Sequence, residues 1–569
     1  MKPLNFIIIQ AIPFLLLGSE IAHAQNLDKI GKKDMITVNG GLNYNGIFYN
    51  SNGIGNRRPP YSWFFSGNLN VNILDVSLPF TYSYSNLSSS YTQPFNMAGC
   101  SPTYKWLKTY LGYTSMNFSN YTLAGHVFLG AGFELTPGNW KIAGMYGRLN
   151  KAVAYDAAAQ TEEAMSFRQM GYGAKVDYEK NGYGFRVIYF SAKDDVQSLP
   201  YIPVNTTVLP QGNTVVSAAG KTRITRLFTL EAEYALSGLT RNLQSDGAIA
   251  DPQRNRLPLL FSPNSSSQFF SAYKTSLGFT KGFFSLNLNY EYIAPNYKTL
   301  GAYYFNNDLE NITLAPSFRL LKGKLNINAN AGYQHNNLDR SKFSTHKRFV
   351  STGNISFVPN PKFAASAMYS NFTTYTRVRV VTDPYYQKTA ADTLNFYQLA
   401  QNGSATCSYT ISQAVLRHSF VLTSSYQVSN QKQANTAQPV TRIFNGNMSY
   451  NLSFIKSKWS AAFTYNYNRA DNLYTTVYMG PGITLGKSFC NNLLRLNISN
   501  VLNRACLNEQ ASGLVLSERA ALTLAPRLAK KYGKPSLALS ALYTNKFKTP
   551  AQPDNFSEFT GMINLNYSF

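Results

Sequence analysis

The chain has 569 residues, a formal net charge of +25, 40 Tyr and 37 Phe, yet only 14% charged residues. A soluble chain of this length would fall into several domains of ~150 residues, but no composition break or linker divides it. No concentrated basic run accounts for the positive charge, which argues against nucleic acid as partner and leaves a cationic interior or cationic surface loops.

Met1 to Ala24 reads as a processing segment. Lys2 supplies the positive start, Phe6 to Leu17 is apolar except for Gln10 and Pro13, and Ala22-His23-Ala24 fits a small-x-small cleavage site. The run is too short for a spanning helix, which needs ~20 apolar residues. The mature chain is expected to begin at Gln25, with 25–34 a short lead into a single domain over 35–569. No later apolar run is long enough for a spanning helix.

From Met35 onward one rhythm repeats. Trp63, Phe65, Leu69, Val71 and Ile73 alternate with Ser66, Asn68, Asn70 and Asn72. Leu286, Leu288, Tyr290 and Tyr292 alternate with Asn287, Asn289 and Glu291; Ile327, Ala329, Ala331 and Tyr333 alternate with Asn328, Asn330 and Gln334. Met448, Tyr450, Leu452 and Phe454 alternate with Ser449, Asn451 and Ser453. Period two puts each set on its own face of a strand. A soluble sandwich would carry Lys and Glu on its wet face, whereas Asn and Ser opposite an aromatic face fit strands with one lipid side and one solvent side. A mean hydropathy of −0.22 alongside so many aromatics follows from that division.

Connections alternate between short and long. Pro137–Asn139, Lys180–Gly182, Lys281-Gly282, Lys322-Gly323, Asn360-Pro361, Lys456-Ser457, Gly486-Lys487 and Lys530–Lys534 read as hairpin turns. Longer polar stretches fall at 193–221, 244–266, 295–309, 336–346, 375–392 and 429–440. The fold class is therefore all-β: one closed antiparallel transmembrane barrel with short periplasmic turns and long extracellular loops. Taking Asn117–Leu123 as a strand and Ser237-Gly238 as a turn gives 26 strands; one hairpin fewer gives 24. Both ends on one side require an even number. Lysines at the short turns can snorkel to the interface, so part of the charge anchors the barrel. The strands begin too early to leave room for a plug domain of the TonB-dependent kind.

From Tyr91 to Leu135 the chain departs from plain hairpins. Pro94-Phe95-Asn96, Cys100 to Trp106, and Ala124-Gly125-His126 opening the run Val127 to Leu135 resemble large porin-like outer-membrane barrels of the Bacteroidota. That resemblance implies barrel and location and carries no activity or substrate.

Polar parity selects the inward charges. Lys175, Asp177, Glu179, Arg186, Glu231 and Glu233 should face the lumen, followed by Arg319, Arg417, Arg495, Arg519 and Arg527. Either they bias passage toward anionic or polar solutes, or they pair with one another and with infolded loops. No nucleophile–base motif, metal-ligand spacing or cofactor motif stands out, and adjacent His418-Ser419 point to opposite faces. His126, His335 and His346 stand apart from one another, and neither enzyme activity, cofactor nor metal is expected. Of the four cysteines, Cys490 and Cys506 bracket one strand and, at ~3.3 Å per residue, should lie ~50 Å apart. Cys100 and Cys506 are placed in outer loops within reach of each other, Cys407 on the lipid face, and free thiols are expected.

The last strand closes the reading. Ile563, Leu565, Tyr567 and Phe569 share one face and Asn564, Asn566 and Ser568 the other. It resembles the C-terminal targeting strand of bacterial outer-membrane proteins, which implies handling by the barrel-assembly machinery. The sequence thus predicts a pore for small hydrophilic, anion-biased solutes, or a loop-filled barrel serving a partner in a surface or secretion assembly. Outer-membrane lipid is its expected surroundings.

Overall fold

Alternating sequence becomes alternating backbone over nearly the whole chain. A computed structural model describes residues 36–86, 97–155, 165–203, 208–247, 256–257, 260–341, 347–377, 395–433, 436–437, 440–526, 533–547 and 555–569. The processing segment, the 25–34 lead, Pro94-Phe95-Asn96, His346 and Arg527 lie outside the described residues.

The first wall comprises β1 (Ile36–Asn52), β2 (Tyr61–Ile73), β3 (Val76–Ser85), β4 (Met97–Cys100), β5 (Thr103–Tyr104), β6 (Leu107–Asn117) and β7 (Ala124–Leu135). Next come β8 (Trp140–Asn150), β9 (Arg168–Lys180), β10 (Tyr183–Asp195), β11 (Gly212–Arg223), β12 (Phe228–Thr240), β13 (Ser267–Lys281) and β14 (Phe284–Ile293). The second half runs through β15 (Leu309–Leu320), β16 (Leu325–His335), β17 (Lys347–Asn360), β18 (Phe363–Arg377), β19 (Asn395–Ser412), β20 (Leu416–Gln433) and β21 (Thr436–Ala437). It ends with β22 (Thr441–Phe454), β23 (Trp459–Asp471), β24 (Thr475–Phe489), β25 (Leu494–Leu507), β26 (Gln510–Leu524), β27 (Lys534–Phe547) and β28 (Phe556–Ser568).

Each strand pairs antiparallel with its sequence neighbour, and β1 pairs with β28 from Gly41↔Ser568 to Asn52↔Ser557, closing the sheet. β4 and β5 share one stave between β3 and β6, broken at Ser101-Pro102, and β21 extends only the tip of β20. The result is a closed 26-stranded barrel, as the sequence predicted. At the seam, inward amides lock the closure: Asn45 donates to Asn43 at 2.6 Å, Asn43 to Asn566 and Asn564 to Asn45.

Register carries the two faces around the barrel, with local shifts at Ser115/Asn117, Arg148/Asn150, Phe357/Asn360 and Ala505/Cys506. Val187 and Met448 are 49% and 61% exposed, as outward side chains must be, while Asn287, Asn289 and Asn466 turn inward. Outward Lys487 lies with its ammonium 4.7 Å from the centre of the Trp459 ring and 5.9 Å from that of Phe489, at the end of the barrel where connections are short.

Several local expectations are corrected. Asn117–Leu123 is no strand: β6 ends at Asn117 and 118–123 fold inward. Ser237-Gly238 does not turn the chain but lies inside β12, where the flanking ladders pair its backbone. The polar stretch 193–221 hides β11, whose Asn213, Val215 and Ser217 face inward. Gly486-Lys487 belongs to β24; the turn forms at Cys490–Asn492, all at positive φ of 48°, 54° and 69°, a region that asparagine tolerates. Cys100 and Cys506 sit on strands, in β4 and β25, not in outer loops, and all four cysteines are free. Cys407 pairs with outward Leu422, as expected.

Candidate functional site

The inner wall from β7 to β14 does not follow the Asn/Ser rule. Over one stretch of it, inward Phe128, Gly132, Met145, Gly173, Ile188 and Phe190 are glycine or apolar, and they hold two connections folded into the barrel. Met116 near the end of β6, Phe118 and Leu123 from the β6–β7 segment and Leu300 from the β14–β15 segment pack with Phe128, Leu149, Ile188 and Phe190. Gly132 and Gly173 make room: a Cβ would stand 2.5 Å from Met116 Sδ at the first and 3.0 Å from Phe118 Cε2 at the second. Burying such side chains stabilises by roughly 1.5–3 kcal/mol each.

A hydrogen-bonded latch joins the two segments. Tyr297 Oη donates to Tyr121 O at 2.8 Å, Thr299 Oγ1 to Thr122 O at 2.6 Å, and Ala124 N to Gly301 O at 2.9 Å. The wall receives them through Asn213, whose Nδ2 donates to Lys298 O at 3.3 Å and whose Oδ1 accepts from Leu300 N at 3.1 Å. Ser237 Oγ also donates to Lys298 O at 2.7 Å, and Lys298 Nζ to Gln211 Oε1 at 2.6 Å. Tyr121 Oη donates to Glu291 at 2.5 Å. Burial pushes the Tyr121 and Tyr297 hydroxyls well above the ordinary phenol range, so both remain donors. Tyr297 is fully buried.

Below the latch, toward the short turns, lies the mixed-charge patch. Asp177 meets Arg186 Nε at 2.5 Å and Lys175 Nζ at 3.5 Å; Lys221 Nζ meets Glu179 at 2.7 Å. Lys175 also donates to Asn117 O at 3.3 Å, tying the patch to the infolded segment. Glu231 shares the recess formed by Asp177, Glu179 and Lys221, and Glu233 accepts from Ser217 Oγ at 2.8 Å. All six predicted residues of this group share the inner face.

Four of the five predicted arginines lie elsewhere. Arg319 is beside Asn326, Arg417 beside Ser453, Arg495 beside Ser488, and Arg519 beside Ser499, all inward and exposed. Among the described residues, none of these four guanidinium groups has a hydrogen-bond or ion-pair partner. The structure therefore separates one predicted set into a paired patch and an unpaired row. Sequence reading missed the latch; its signal was glycine replacing asparagine on the inward positions of β7 to β9.

The histidines do not converge. His126 stacks on Tyr303, with ring centroids 3.9 Å apart. His335 Nε2 lies 3.2 Å from Glu310, and His418 Nδ1 lies 2.8 Å from Tyr450 Oη while Ser419 faces inward. Among the described residues no three His, Cys, Asp or Glu side chains are grouped as metal ligands would be.

No family model matches the chain, and no curated protein does. Solved barrels share its general form. The translocation pore of the P pilus usher PapC is 10% identical with a TM-score of 0.40, over 94% of this chain and 100% of that one. The FrpB iron transporter of Neisseria meningitidis is 9% identical with a TM-score of 0.37, over 95% and 82%. OccAB2 of Acinetobacter baumannii is 8% identical with a TM-score of 0.28, over 63% and 92%. At such TM-scores the likenesses decide nothing about cargo or partner.

Proposed function

We propose that this chain is an integral outer-membrane barrel whose C-terminal wall lines a path for small hydrophilic solutes, with a bias toward anions. The observation that carries this reading is the row of inward arginines, unpaired among the described residues, that stands with Asn and Ser on the wall from β15 to β28. Fixed cations without counter-charges raise the local concentration of anions. The outward apolar face and the Lys487–Trp459 contact support a membrane position. In this reading Met1–Ala24 is removed on export, and the final strand is handed to the barrel-assembly machinery.

Reconstitution in planar bilayers tests the proposal. Discrete conductance steps are expected, with a reversal potential under a salt gradient that reports anion preference. Silence at every voltage would overturn it. The latch favours a second reading, a loop-closed barrel serving a surface or secretion assembly. Conductance that appears only when the latch is broken would favour that alternative.

A further inference from the structure

The outward face of β26 is an apolar stripe, Leu514, Leu516, Ala520, Leu522 and Leu524, with one interruption at Glu518. On β25, Leu494, Leu496, Ile498 and Leu502 are interrupted at Asn500. The two interruptions are register partners, Asn500↔Glu518, flanked by Ile483 on β24 and Tyr543 on β27, which share the outward face. Ile498, Leu502 and Tyr543 are exposed, so this is the convex side of the barrel, and Glu518 is exposed too. Among the described residues, neither the Glu518 carboxylate nor the Asn500 amide has a hydrogen-bond or ion-pair partner.

Their height matters. Glu518 stands six residues from Leu524, the short-turn end of its strand. At ~3.3 Å per residue and a tilt of ~40°, that is about 15 Å into an apolar band about 25 Å tall. Too far from either edge for a glutamate to snorkel, the pair would lie against acyl chains. Unsatisfied polar groups there are costly and mark sites of interaction.

We infer that Asn500 and Glu518 form the centre of an interface between two copies of this barrel within the membrane. The pair is complementary to itself, which selects a second copy as the occupant. Asn500 is a donor and Glu518 an acceptor, side by side on neighbouring strands. A two-fold axis along the membrane normal, passing between them, sets each Asn500 amide against Glu518 of the other copy. Both carboxylates and both amides are then satisfied at once, as an isologous interface requires. Beside the pair, Ala520 and its partner Ala541 keep the surface low, so that two barrel walls can approach. The inference rests on the membrane reading above and is independent of whether the lumen conducts.

Single-molecule photobleaching of labelled protein in dilute liposomes tests it. Wild type is expected to bleach in two steps. The double variant Asn500→Leu/Glu518→Leu should bleach in one, while its heat-modifiable gel shift shows an intact barrel, because lipid-facing leucine suits this position. Glu518→Gln keeps an acceptor for the facing amide and should retain two-step bleaching. One-step bleaching of folded, inserted wild type would overturn the proposal, as would a double variant as dimeric as wild type. Protein that never floats with liposomes would sink the membrane reading itself, and this interface with it.

Discussion

The two halves of the barrel wall are built from the same outward rhythm and opposite inward ones. From β7 to β14 the inner face carries a belt of glycine, aromatic and aliphatic residues, and two connections lie folded onto it. From β15 to β28 it is mainly Asn and Ser with arginines, and two loop-end connections shrink to the short turns at 472–474 and 508–509. Among the described residues, one half is packed like a protein core and the other carries no packed segment on its inner face. Charge follows the same division: Asp177 and Glu179 are paired where the wall is packed, and Arg319, Arg417 and Arg495 are unpaired where it is open. A wide barrel therefore need not be filled or empty throughout; it can be filled along one side.

The sharpest way to break this contrast is to empty the packed side. Tyr297→Ala removes a buried ring and the hydrogen bond to Tyr121, and should destabilise by about 3–5 kcal/mol, the range for large-to-small aromatic changes. The midpoint of urea unfolding in detergent would measure it. Single-channel conductance should rise in the same variant as the two segments leave the wall. Tyr297→Phe separates hydroxyl from ring and should cost only about 1 kcal/mol.

Overfilling the same side should cost less. Gly173→Val puts a branched side chain where Phe118 and Phe190 already meet the wall, for a loss of about 1–3 kcal/mol in the same unfolding measurement. Asp177→Asn, in the patch below, leaves the Arg186 and Lys175 cations without their shared anion. A loss of about 1–2 kcal/mol is expected, between the values for exposed and buried pairs. Because two cations are freed, anion selectivity measured by reversal potential should increase.

The barrel itself was legible because period two leaves no freedom. Once Leu286 and Leu288 face outward, Asn287 and Asn289 must face inward, and the register transmits the choice from strand to strand. Local punctuation was less reliable. Ser237-Gly238 has turn composition but sits between two complete ladders, and Gly486-Lys487 reads as a hairpin although Lys487 is an outward anchor over Trp459. The latch was hidden for a different reason. Tyr121 and Tyr297 are 176 residues apart, and their contact depends on which connections fold back, which strand periodicity does not encode. Gly132 and Gly173 were visible as residues, but glycine announces only that something comes close, not what.

The smallest effect on stability should come from the open side, and it bears most directly on function. Replacing Arg319, Arg417 and Arg495 together by Ser removes three exposed groups that hold nothing, so the unfolding midpoint should move by no more than about 0.5 kcal/mol per site. Each lies near a short turn of its strand, on a wall where Asn and Ser predominate among the inward groups. Selectivity should nevertheless shift toward cations, read as a displaced reversal potential under a salt gradient, and the shift should shrink as ionic strength shortens the reach of each charge. If the reversal potential stayed fixed while the Asp177→Asn potential moved, the path would run along the packed wall, and the division of labour drawn here would be inverted.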